Sequence, residues 1–143
     1  MRIAIAALVS VLSIGVASAD VAPPPPDPNE GTWYGSMRQV NADGEASYPM
    51  TLVLTESGGT SDYPKLGCGG ELERLGTASG GYVIYKETIT RGAFDKGKGD
   101  GCVDGVVVLH VEGIALLLGW FGAIDGEPML ASARLGRGQF NSR

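Results

Sequence analysis

The chain has 143 residues, 43% of them hydrophobic and only 19% charged, with 23 Gly and 8 Pro. Eleven basic residues against sixteen acidic ones leave a formal net charge of −5, which argues against phosphate-driven nucleic-acid binding. One His and two Cys leave almost nothing for a zinc centre or a His-based triad, and the length suits one domain.

Residues 1–19 read as a signal peptide. Met1-Arg2 is a minimal positive start, Ile3 to Val16 is an almost unbroken apolar run, and Ala17-Ser18-Ala19 has the small-x-small pattern that signal peptidase accepts. The apolar run falls short of the ~20 residues a membrane-spanning helix needs, so no stable membrane span is expected. Cleavage near Ala19 predicts a periplasmic or secreted protein. Residues 20–30 then form a proline-rich tether, because Pro23 to Pro28 favours an extended polyproline II spacer. In an oxidising compartment Cys68 and Cys102 are expected to form a disulfide. The loop so closed stabilises by about 3–4 kcal/mol on the chain-entropy estimate.

The folded domain is expected over 31–143. No helical apolar period survives three turns there without Gly or Pro. Short β-branched and aromatic runs recur between turn-forming clusters, and they predict strands at 32–40, 48–56, 59–63, 71–75, 81–91, 103–112, 114–124 and 128–136. Ser79-Gly80-Gly81, Glu112-Gly113 and Asp125-Gly126 are the tightest turns, the last two reading as two-residue hairpins. Sequential strands with short turns predict an all-β antiparallel meander, closed into a 7–8-stranded barrel that removes exposed edges, with an open β-sandwich as the competing architecture. Strand 114–124 is apolar on both faces: Leu116, Leu118 and Trp120 share one side, Leu117, Gly119 and Phe121 the other. One face of that strand belongs to the core, and the other predicts a surface patch.

Three local motifs carry resemblances. Gly31-Thr32-Trp33 resembles the Gly-x-Trp opening of calycins, the group of lipocalins and avidins, and implies a calycin-like barrel with Trp33 plugging its closed end. Tyr63-Pro64-Lys65-Leu66-Gly67-Cys68-Gly69-Gly70-Glu71-Leu72, with Trp33-Tyr34-Gly35, Glu87-Thr88-Ile89 and Gly101-Cys102, resembles a pattern of small exported bacterial domains of unassigned role. That resemblance implies that Cys68 and Cys102 tie two strands together while Gly69 and Gly70 let the backbone pass the bridge. Ser79-Gly80-Gly81-Tyr82 is similar to a loop of periplasmic inhibitors of C-type lysozymes, and implies a partner-binding role for Ser79, Tyr82, Lys96 and Lys98.

Other chemistry finds little support. Asp95, Asp100 and Asp104 lie among glycines, but counting from Asp100 puts Cys102 at position 3 and Val111 at position 12, which breaks the calcium-loop spacing. His110 and Glu112 project from one strand face, yet no nucleophile or metal site accompanies them. The reading is therefore a non-enzymatic binding module, with no catalytic residues, metal or cofactor. It holds a small apolar ligand at the barrel mouth through Trp33, Tyr48, Tyr63, Tyr82, Tyr85 and Trp120. The alternative is a module that binds an envelope protein, such as a lysozyme or envelope-enzyme inhibitor acting through its loops.

Overall fold

The computed structural model of the chain describes residues 27–41 and 44–138. The expected signal peptide and most of the tether lie outside them, as do Gln139 to Arg143. Eight strands follow in order: β1 Gly31–Asn41, β2 Gly44–Leu54, β3 Gly58–Tyr63, β4 Cys68–Ala78, β5 Tyr82–Arg91, β6 Gly105–Glu112, β7 Ala115–Ile124 and β8 Glu127–Arg137. Each pairs antiparallel with the next, and β8 returns to β1 to close the barrel, so the predicted meander is the observed one and the open sandwich is excluded.

Alternation along each strand builds the core. Met37 on β1, Leu52 on β2, Leu72 on β4, Tyr85 on β5, Leu109 on β6 and Leu116 on β7 all point inward and are buried. β8 follows its predicted period, with Ala131 and Leu135 buried and Leu130, Ser132 and Arg134 exposed. Outside, Val40, Leu130, Phe121 and Val106 are exposed and face one another in one cross-strand row over β1, β8, β7 and β6. This row is the surface patch expected of the doubly apolar strand.

Turn chemistry decides the strand ends. Asp125 and Gly126 both take positive φ, 51° and 85°, which is type I′ geometry and makes the expected two-residue hairpin. The β6–β7 hairpin is displaced by one residue from the expected Glu112-Gly113. Glu112 pairs with Ala115, so the loop is Gly113-Ile114, with Gly113 at φ 61° supplying the first central position of a type II′ turn. β4 extends well past the predicted 71–75 at both ends. Its glycines mark close strand contact there: a Cβ on Gly70 would sit 2.5 Å from the Thr88 carbonyl of β5.

The two ends of the barrel differ. At one end Trp33 is buried, donates its indole N–H to the Asn29 carbonyl at 2.8 Å, and is covered by the Arg137 guanidinium 4.3 Å above its ring. Asp27–Glu30, the last residues of the expected tether, fold into a turn beneath this plug. Asp27 receives Arg74 Nη1 at 2.8 Å, and Arg137 Nη2 donates to the Pro28 carbonyl at 2.8 Å. Burial raises the Asp27 carboxyl, but hydrogen bonds from Asn29 and Arg74 outweigh it and hold the group below the ordinary carboxylate range. This end is closed.

Candidate functional site

The opposite end carries a short 3-10 turn, Pro64–Leu66, the long β5–β6 connection and the β7–β8 hairpin. The β5–β6 connection is folded upon itself. Phe94 donates its amide to the Cys102 carbonyl at 2.7 Å, Asp95 to Asp100 at 3.0 Å, and Cys102 to Gly92 at 3.0 Å. Asp104 Oδ1 accepts the Ile89 amide at 2.8 Å, anchoring the base of this lobe to β5 beyond the last β5–β6 ladder pair.

Cys68 and Cys102 are joined, with their Cα atoms 6.1 Å apart. The bridge runs from the first residue of β4 to the lobe, rather than between two strands as expected, because β6 begins only at Gly105. Gly69 and Gly70, expected to let the backbone pass the bridge, instead sit against the Ser61 and Thr88 carbonyls of β3 and β5. The glycine beside the bridge is Gly92: at φ 65°, a Cβ there would lie 2.4 Å from the Gly67 carbonyl and 2.9 Å from Cys68 Cβ. The disulfide therefore holds the lobe over the barrel mouth.

Beneath the lobe lies a cavity of about 280 Å³. Four aromatic rings line it, from Tyr48, Tyr63, Phe94 and Trp120, together with Met37, Ile89, Val103 and Met129. Gln39 and Asn41 stand on its β1 side, where the Tyr48 hydroxyl donates to Gln39 Oε1 at 2.7 Å and Gln39 Nε2 to Asn41 Oδ1 at 2.9 Å. Tyr48 and Tyr63 meet edge to face, with centroids 6.0 Å apart.

One carboxylate reaches this cavity. Glu87 is 1% exposed and accepts hydrogen bonds from three side chains, two on β3 and one on β7. Ser61 Oγ and the Tyr63 hydroxyl donate to Oε1, the latter at 2.9 Å, and Trp120 Nε1 donates to Oε2 at 2.7 Å. Burial first and the Glu87 charge second push the Tyr63 phenol far up, and the same two causes raise Tyr48 to about 12. Both phenols therefore remain neutral donors at physiological pH.

Two glycines seat the Trp120 ring. Gly105 and Gly122 pair across β6 and β7, and a Cβ on either would fall 2.5 Å or 2.2 Å from indole atoms. Glu87 pairs with Gly105 on the other side, so the row Glu87, Gly105, Gly122 gives the indole a flat bed with its N–H turned to the carboxylate.

Of the expected ligand residues, Tyr48, Tyr63 and Trp120 meet at the mouth, and the other three lie elsewhere. Trp33 plugs the closed end. Tyr85 is a buried core residue one inward position deeper than Glu87, its phenol raised by burial. Tyr82 faces outward and stacks on His110, with ring centroids 4.6 Å apart. The expected partner loops are also separated. Ser79, in the β4–β5 turn, and Tyr82, the first residue of β5, lie at the closed end. Lys96 and Lys98 sit on the lobe at the mouth, where Lys96 Nζ pairs with Asp125 at 3.1 Å and Lys98 Nζ lies 4.0 Å from Asp95. Glu112 shares the outer face of His110 but pairs with Arg134 at 3.1 Å.

Glu87, Ser61 and Phe94 were not singled out as site residues from the sequence. Glu87 did carry a signal: period two places it on the same face as Val83, Tyr85 and Ile89, a lone acid in an otherwise apolar inward row. A broader depression on the outer wall, beside β1 and β8, is open to solvent. Its arginines are engaged, Arg38 with Glu45, Arg134 with Glu112 and Arg137 over Trp33.

Among the described residues, no group of three or more His, Cys, Asp and Glu side chains is placed to hold a metal ion, and no helix is long and apolar enough to cross a membrane. No protein-family model, no curated protein and no solved structure matches the chain.

Proposed function

We propose that this protein is an exported, non-enzymatic binding barrel of the bacterial envelope, calycin-like in plan, that holds a small, largely apolar ligand at its mouth. The observation that carries the reading is the mouth cavity of about 280 Å³, bounded by four aromatic rings and roofed by a lobe that a disulfide pins down. Ligand sites are concave and mostly apolar, with a few convergent polar groups, and this volume stands at their small end. A closed opposite end and a hydrogen-bonded roof supply preorganisation, so little ordering entropy is lost on binding. A disulfide suits an oxidising compartment, which is where the Ala17-Ser18-Ala19 cleavage pattern would send the chain.

The alternative, a protein-interaction module working through its loops, has to engage its partner at two separate places, because Ser79 and Lys96 stand at opposite ends of the barrel. A native mass spectrum of the protein isolated from the envelope of its producing cells tests the choice. The expected result is a bound mass of a few hundred daltons that is lost on unfolding. A bare monomer, or a complex of protein-sized mass, shifts the weight to the interaction reading.

A further inference from the structure

The polar group at the base of the mouth cavity specifies more than an apolar ligand. Glu87 is buried, and each of its three donors is a neutral side chain. None of the ion pairs among the described residues includes it, and the cavity lining contains no Lys, Arg or His. A buried charge is ordinarily paired with an opposite one. Here hydrogen bonds satisfy most of the carboxylate, while its counter-charge is missing.

The acceptor inventory locates the opening. Among the described residues, Oε1 takes two donors, from Ser61 and Tyr63, whereas Oε2 takes only Trp120. A carboxylate offers about four lone-pair sites, so one acceptor position on Oε2 is free. The rings of Tyr48, Tyr63, Phe94 and Trp120 line the same space, and aromatic faces carry negative potential. A buried carboxylate beside aromatic rings in a small cavity is an arrangement that suits an organic ammonium group, through a charge-assisted hydrogen bond and cation–π attraction.

We propose that the mouth cavity takes a small organic ammonium compound, its cationic head beside Glu87 among the four rings and a short apolar body against Met37, Ile89, Val103 and Met129. The proposal rests on the binding-barrel reading and names its ligand class. Anionic ligands are disfavoured by repulsion from Glu87. Neutral ones leave the carboxylate without a counter-charge, so head-group charge sets the selectivity.

The chain contains two tryptophans, and they report on opposite ends. The Trp120 indole N–H touches Glu87 at the mouth, while the Trp33 indole N–H is held by Asn29 at the closed end. Isotopically labelled protein titrated by NMR with hexylammonium, hexan-1-ol and hexanoate therefore separates head-group effects from tail effects. The expected result is a shift of the Trp120 indole signal with Trp33 unmoved, and hexylammonium binding at least about tenfold tighter than hexan-1-ol, with hexanoate weakest. In Glu87→Gln the ammonium preference collapses. Should that variant fail to fold, the ranking of the three probes on the unaltered protein decides alone. If hexan-1-ol moves Trp120 and binds as tightly as hexylammonium, the ammonium inference is overturned while the binding barrel survives. If no probe moves Trp120, both are overturned.

Discussion

Trp120 on β7 reaches Glu87 on β5 over the one strand that separates them, with the indole N–H 2.7 Å from the carboxylate. The strand between them, β6, contributes only Gly105 at this level. The polar contact and the large ring are therefore two halves of one arrangement: the glycine pair makes room for the indole, and the carboxylate orients it.

Trp120→Phe retains the aromatic surface and removes the donor. Glu87 Oε2 then loses the one partner it has among the described residues, within a buried site, and an unsatisfied buried acceptor costs about 1–3 kcal/mol. A urea denaturation series should show a loss of that size with an unchanged slope. An unaltered midpoint would show that the hydrogen bond adds nothing to stability. Trp120→Ala additionally empties part of the cavity wall and should abolish small-molecule binding.

Gly122→Ala inserts a Cβ 2.2 Å from the indole ring, where backbone pairing with Gly105 leaves no room for it to retreat. Overpacking of this kind costs about 1–3 kcal/mol, and it should swing Trp120 away from Glu87. The Trp120 indole signal would shift while that of Trp33 stays in place. A Trp120 signal that does not move would refute the glycine-bed account.

Reduction, or paired Cys68→Ser and Cys102→Ser replacement, releases the lobe from the start of β4. The cross-link closes a 34-residue separation and contributes about 3–4 kcal/mol on chain-entropy grounds. Because the lobe carries Phe94 and Val103, the loss of mouth binding should exceed what the stability change alone would produce. Binding that persists unchanged in the reduced, folded protein would remove the disulfide from the site.

Acid should loosen the closed end. The Asp27 carboxyl is held below its ordinary value of 3.8, so its contribution is present above that pH and is lost as pH falls through the lower folded value. Asp27→Asn should cost on the order of 1 kcal/mol at neutral pH and flatten the acid limb of the stability profile below about pH 4. Thermal melts of both proteins across that range check the sign. Parallel curves would exclude Asp27 as the acid-sensitive group.

Alkali acts at the other end. The Tyr48 phenol is raised to about 12 by burial and by Glu87, so it favours the folded state below pH 10 and ceases to do so as pH rises towards 12. An ultraviolet titration should find that Tyr48, Tyr63 and Tyr85 ionise together with the loss of structure. Their free titration near pH 10 in a folded protein would contradict the buried mouth network.

The architecture was largely legible in the residues themselves. Period-two runs separated by Gly and Asp clusters announced eight strands in order, and Asp125-Gly126 announced its own turn. Two cysteines pair in one way only, so the bridge followed from their number. Boundaries went astray where glycines act inside strands, as in β4, since a glycine that permits close strand approach is indistinguishable in sequence from one that makes a turn.

The site divided differently. Six aromatic residues were candidates, and sequence could not say which of them share one end of the barrel. Depth along the lumen depends on register and strand tilt, which are set only when β8 closes on β1. Glu87 meets Ser61, Tyr63 and Trp120 across 26, 24 and 33 residues of chain. What the sequence determined by itself was local: strand periodicity, turn type and the cysteine pair, each written in neighbouring residues or in simple number. What only the tertiary structure decided was convergence: a lone inward acid became the floor of an aromatic cavity because barrel closure brought three distant donors to it.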